Sequence, residues 1–186
     1  MAAFEDELLA AAKHLIRRKV GQKGKIPSAR IRRSVSTTYY ALFHFLLDET
    51  GRLVVGATND VKTRRRLLSR TISHKSVKTA LDRVKGNIVD QVFAEFFSYK
   101  GAVGVPPSPR FARNMAKAFS DAQAKRHDAD YNLQATLSAH DANLLQRRVR
   151  RTIQEWRAAK SLADRDFKKA ICLAILIKGQ LRSENF

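Results

Sequence analysis

Two stretches of this chain concentrate side chains that can do chemistry. "SVSTTYYALFHFLLDE" (Ser34 to Glu49) sets Tyr39, Tyr40 and His44 among apolar residues, and "KRHDADYN" (Lys125 to Asn132) crowds Arg126, His127, Asp128, Asp130 and Tyr131 together. A histidine titrates near neutrality and can move a proton. An arginine offers a planar fork of donors to a phosphate or a carboxylate. Arg126 and Asp130 stand one helical turn apart, which predicts an ion pair on a shared face. Two aspartates at the C-terminal end of a helix oppose its macrodipole and call for partners. His44 and Asp48 are also one turn apart, a spacing that favours a satisfied polar pair over a ligand pair.

The remaining chemistry is scarcer. His14, His44, His74, His127 and His140 are scattered, without His-Glu-x-x-His or Cys-x-x-Cys spacing. No local set of donors can converge at the 2.0–2.3 Å typical of a zinc site. No phosphate-cradling glycine loop is present. Neither a metal nor a cofactor is expected. The single cysteine, Cys172, excludes an internal disulfide and lies in an apolar run, where buried packing is its expected role.

Charge is the strongest compositional signal. The 186 residues include 36 Lys and Arg against 17 Asp and Glu, a formal net charge of +19. Such an excess attracts RNA, DNA, anionic lipid or an acidic protein. It is concentrated at Arg30, Arg32 and Arg33, at Arg64, Arg65, Arg66 and Arg70, and at Arg147, Arg148, Arg150 and Arg151. Few aromatic residues interleave with these arginines, so phosphate contact is expected rather than base stacking. The N-terminal stretch has its acids before its apolar residues and its bases after them, the reverse of a secretory signal. The run "AICLAILI" is too short for the roughly 20 residues a membrane span needs. No membrane partner and a cytoplasmic location are the expectation.

The elements that must position these groups read as helices nearly throughout. An apolar stripe from Ala3 to Val20 predicts the first. Pro27 and Ser28 start a second that Gly51 ends. On it, Val35, Tyr39, Leu42 and Leu46 form one stripe and Ser36, Tyr40, Phe43 and Leu47 the next, a wide apolar face that makes this helix central. Gly51 to Ala57 reads as a loop, Asn59 to Ile72 as a short basic helix and Ser73 to Lys85 as another. Asn87 with Asp90 opens a helix towards Gly101, and Ser108 with Pro109 starts one towards Asp130. Ser138 with Asp141 and Ser161 with Asp164 are capping boxes for the last two helices. The expected fold is an all-α helical bundle, residues 1–186 forming one domain.

The two opening stretches resemble signatures of one family, the HEPN-domain proteins of bacteria. "SVSTTYYALFHFLLDE" resembles the family's Ser-x-x-Tyr-Tyr-Ala-x-Phe-His segment. "KRHDADYN" resembles its Arg-x-x-Ala-Asp-Tyr motif at Arg126, Ala129, Asp130 and Tyr131. Between them, "SHKSVKTAL" is similar to a Thr-His-Lys-Gly-Val segment at His74, Lys75 and Val77. The resemblance covers about residues 28–160, with a basic insertion at about 51–72 and a C-terminal extension at 161–186. It implies an up-and-down helical bundle of about five helices that commonly forms a homodimer, in a family many of whose members act on RNA, some of them in toxin–antitoxin, CRISPR or phage-defence systems. An acidic antitoxin or a small nucleotidyltransferase is the implied partner.

The family's nucleases carry an arginine, four to six residues, then a histidine. No histidine of this chain has an arginine at that distance upstream. The expectation is therefore a non-catalytic or weakly catalytic protein that binds RNA or another polyanion through Arg30, Arg33, Arg64, Arg65, Arg66, Arg70, Arg147 and Arg151. One alternative is a metal-independent endoribonuclease with a displaced catalytic histidine, built on Arg126, His127, Asp130, Tyr131 and His44. Another is an interaction module whose basic surface neutralises an acidic partner.

Overall fold

A computed structural model describes residues 3–18, 24–89, 93–94 and 107–177. They are all-α, as the periodicity predicts. The helices are α1 (Phe4–Leu15), α2 (Ser28–Val55), α3 (Lys62–Ser69), α4 (His74–Asp82), α5 (Arg110–Tyr131), α6 (Ala139–Ala158) and α7 (Leu162–Leu176). The only bridge among the described residues is an isolated antiparallel pair, Ile88 with Pro107. The chain divides into two compact units, residues 1–45 with 118–154 and residues 46–117 with 155–186. The three long helices α2, α5 and α6 each contribute to both.

In the first unit α2 is the central element. Val35, Tyr39 and Leu42 are fully buried, with Leu9 and Ala12 of α1, Phe119 and Ala122 of α5, and Val149 and Ile153 of α6. Polar groups inside this core are satisfied across helices. The buried Ser34 hydroxyl donates to Ala12 O at 2.8 Å and accepts from Gln146 Nε2 at 2.8 Å, tying α1, α2 and α6 together. Burial without such partners would cost about 1–3 kcal/mol per group.

In the second unit α4 packs on α7. Trp156 is fully buried, its ring edge-on to Phe111 at 5.5 Å, and its Nε1 donates to Glu49 at 2.8 Å. Lys168 lies over the Phe111 and Trp156 rings and donates to Ala159 O at 2.5 Å, just past the last residue of α6. Removal from water lowers its pKa.

Several expected boundaries move. Helix α2 does not stop at Gly51 but continues through "GRLVV" to Val55. Gly51 is buried in the helix, and the stop is Gly56, whose φ of +104° only glycine adopts at no steric cost. Helix α1 ends at Leu15 rather than Val20. Both predicted capping boxes form, Ser138 with Asp141 and Ser161 with Asp164. Ser108 serves differently: its hydroxyl donates to Val84 O at 2.7 Å, pinning the entry to α5 onto the end of α4. The helix expected from Asn87 to Gly101 lies largely outside the described residues. At its start Asn87 to Val89 are not helical, because Asn87 O accepts from Ser108 N and Ile88 pairs with Pro107.

Candidate functional site

The two sequence stretches meet in the first unit. The hydroxyl of Ser36 on α2 donates to Oδ1 of Asp130 on α5. The other carboxylate oxygen, Oδ2, accepts from Arg126 Nε at 2.8 Å, the ion pair expected from their i,i+4 spacing. The Arg126 guanidinium lies among three rings, 5.5 Å from the Tyr39 centroid, 5.3 Å from Tyr40 and 5.8 Å from Tyr131. Its Nη2 also reaches the Tyr131 hydroxyl at 3.4 Å. Such a cation is attracted to each ring face. Burial alone would lower the pKa of Arg126, but Tyr40, Asp130 and Tyr131 overcome that, and the net direction is upward. The arginine side chain is only 19% exposed. Tyr39, fully buried, has its hydroxyl pKa pushed up by burial.

The end of α5 is held by Arg32. Its Nη1 donates to the carbonyls of Asp128, Ala129 and Asn132 at 2.9–3.0 Å, and its Nη2 to those of Leu133 and Ala135 at 3.2 and 2.8 Å. A cation at a helix C-terminus complements the macrodipole and satisfies orphan carbonyls. It supplies the compensation that two aspartates at this end require.

The histidines divide. His127 is exposed, its ring 5.4 Å from that of Tyr131. His44 is half-buried among the rings of Phe4 at 5.1 Å, Phe43 at 5.8 Å and Tyr40 at 6.4 Å. Among the described residues it makes no hydrogen bond to Asp48, Asp130 or Tyr131. The expected His44–Asp48 pair does not form, because Asp48 pairs with the fully charged Arg52 one turn further on, at 2.6 Å. Burial lowers the pKa of His44.

The basic clusters also divide, by what each guanidinium touches. Arg30 donates to the His14 and Arg17 carbonyls at the end of α1. Arg65 donates to Gly56 O at 2.6 Å and Thr58 O at 2.8 Å, closing the turn after α2. Arg148 pairs with Asp121. Arg33, Arg64, Arg66, Arg70, Arg147, Arg150 and Arg151 are exposed. Arg147 and Arg150 line a cleft of about 590 Å³ with Lys13, His140, Asn143 and Gln146.

Ser36 and Arg32 were not expected as site partners. Ser36 shares a stripe with Tyr40, so its direction was legible, but not its carboxylate partner. The cleft is half legible: His140, Asn143, Arg147 and Arg150 follow one helical stripe, and the fold alone adds Lys13. Among the described residues no group of three or more His, Cys, Asp or Glu could hold a metal ion. No helix of the described residues is long and apolar enough to cross a membrane. No family model, no curated protein and no solved structure matches the chain.

Proposed function

We propose that the protein is a basic, HEPN-like helical protein that binds RNA through phosphate contacts and does not cleave it. The observation that carries this reading is helix α3 and the residue after it. Lys62, Arg64, Arg66 and Arg70 are all exposed there, and α3 contains no acid. None of the four side chains makes an ion pair or a hydrogen bond among the described residues. Exposed cations without counter-charges, in a chain of net charge +19, favour a polyanion over a solvated surface. The contact between the two stretches that resemble HEPN signatures supports the family reading.

The geometry around Arg126 supports binding over cleavage. Its guanidinium is engaged by Asp130 and by three tyrosine rings, and it has no histidine of matching spacing beside it. A toxin–antitoxin or phage-defence role, with a homodimer and an acidic partner, belongs to the same proposal. Its marker would be an acidic neighbour in the genome that co-purifies with the protein.

Fluorescence anisotropy with unrelated labelled RNAs across a salt series tests the reading. Affinity should fall steeply with salt and vary little with sequence. Replacing Arg64, Arg66 and Arg70 by Gln should flatten the log–log slope by roughly 2, at about 0.7 per lost contact on a single strand. A flat wild-type salt response would sink the reading. Cleavage in EDTA that Arg126→Ala abolishes would replace it with the endoribonuclease alternative.

A further inference from the structure

The cleft in the first unit is a second cationic feature, made of other residues than α3. Its lining is Lys13 from α1 and His140, Asn143, Gln146, Arg147 and Arg150 from α6. No acid and no apolar side chain is among them. Lys13, Arg147 and Arg150 are exposed and make no ion pair or hydrogen bond among the described residues. Two acids of the same unit have partners of their own: Asp141, whose charge also acts on His140, is held by the Ser138 hydroxyl in the helix cap, and Asp121 is paired with Arg148.

One wall of the cleft is fixed. Gln146 is buried, and its Nε2 donates to Ser34 Oγ, which in turn donates to Ala12 O one residue before Lys13. This chain of hydrogen bonds sets α1 against α6 and holds Lys13 opposite the arginines. Three like charges gathered in one concavity repel each other unless an anion joins them. The volume is that of a small-ligand cavity, but such cavities are mostly apolar, and this one is not. From His140 to Arg150 the stripe runs about 15 Å along the helix at about 1.5 Å per residue. That accommodates several phosphates in succession, since one strand of a duplex presents one per about 3.4 Å.

We propose that this cleft binds linked phosphates, with Arg147 and Arg150 as the forks, Lys13 as the opposing point charge, and Asn143 and His140 as additional hydrogen-bonding groups. The phosphates come either from an RNA strand, in which case the site rests on the reading above, or from a free polyphosphate. An acidic protein segment fits less well, because a protein interface core would need apolar lining.

The experiment compares wild type, Arg147→Gln/Arg150→Gln, and Arg64→Gln/Arg66→Gln as the control patch. Each is measured with a labelled single-stranded RNA across a salt series, and by thermal unfolding with tripolyphosphate and with a poly-glutamate peptide. The expected result is that Arg147→Gln/Arg150→Gln weakens RNA binding roughly tenfold and reduces the salt slope by about 1.4, two contacts' worth on a single strand. Tripolyphosphate raises the Tm of wild type and of the control but not of this variant. If only the tripolyphosphate effect depends on Arg147 and Arg150, the site stands with free polyphosphate as its source. If wild type binds no RNA at all, the proposed function fails and the tripolyphosphate arm alone decides the cleft. The proposal is overturned if neither ligand distinguishes Arg147→Gln/Arg150→Gln from wild type, or if only poly-glutamate does.

Discussion

Ser36 and Asp130, 94 residues apart in the chain, are joined by a hydrogen bond from the serine hydroxyl to the carboxylate, and the same carboxylate holds Arg126. One acidic side chain thus connects α2 to α5 and fixes the cation that three tyrosines surround. Because the bond to Ser36 and the bond to Arg126 share Asp130, their contributions are coupled. Ser36→Ala should lower stability by about 1 kcal/mol and Asp130→Ala by about 2 kcal/mol. The double variant should fall short of the sum. Urea unfolding of the cycle measures this, and strict additivity would show that the two residues do not act together.

Arg32 offers a second test of the same end of α5. Its guanidinium serves five backbone carbonyls between Asp128 and Ala135. A lysine keeps the charge but loses the planar fork and cannot reach both groups of acceptors. Arg32→Lys should destabilise by about 1–2 kcal/mol. The change should be local: amide hydrogen exchange from Ala129 to Ala135 should accelerate more than exchange in α1. Uniform acceleration throughout the chain would mean that Arg32 acts on global packing instead.

The sequence disclosed those features whose partners are near in the chain. The boxes at Ser138–Asp141 and Ser161–Asp164 and the Arg126–Asp130 turn are spaced by three or four residues, so helical geometry alone predicts them. The end of α2 was harder, because Gly51 and Gly56 both look like stops. Only Gly56 takes a positive φ, whereas Gly51 is buried within a helix whose neighbours Leu46, Leu47 and Thr50 are buried too. Burial there offsets the roughly 1 kcal/mol that a helical glycine loses relative to alanine. Arg64, Arg65 and Arg66 look equivalent in sequence, yet successive residues on a helix point about 100° apart, and only Arg65 turns back onto carbonyls. The Ser36–Asp130 bond, the Arg32 clamp and the place of Lys13 in the cleft depend on tertiary packing, which no local pattern encodes.

His44 makes stability sensitive to acid. Burial among Phe4, Phe43 and Tyr40 lowers its pKa in the folded state, while the unfolded chain retains an ordinary value of about 6.5. As pH falls through that unfolded value, the unfolded state takes up the proton first, so the folded state loses stability. The loss levels off below the folded pKa. The half-buried position keeps the effect below about 1 kcal/mol. His44→Phe should therefore lose less stability than wild type between pH 7 and pH 5, measured by urea unfolding at each pH. Identical losses in the two proteins would remove His44 from the acid response.

Cys172 makes the converse prediction at high pH. It is 1% exposed between the buried Ile171 and Ala174, and burial pushes its thiol pKa up to about 12. The thiolate is the reactive form, so the native thiol should not react with a disulfide reagent at pH 8. Unfolding in urea should expose it and restore a thiol pKa of about 8.5. Native labelling should then proceed only through opening of the second unit, at a rate that rises when that unit is destabilised. Trp156→Phe, which removes the donor to Glu49 and empties part of the core, should speed labelling by roughly tenfold or more, for a loss of at least about 1.4 kcal/mol. The sign with pH follows from the same shift: a raised folded pKa contributes stability that is present below about 8.5 and is lost as pH rises above it. Cys172→Ala should abolish that alkaline loss, at about 1 kcal/mol of stability near neutrality for the smaller side chain. Rapid labelling of the native wild-type protein would contradict the burial of Cys172 against α7's neighbours and overturn this account of the second unit's core.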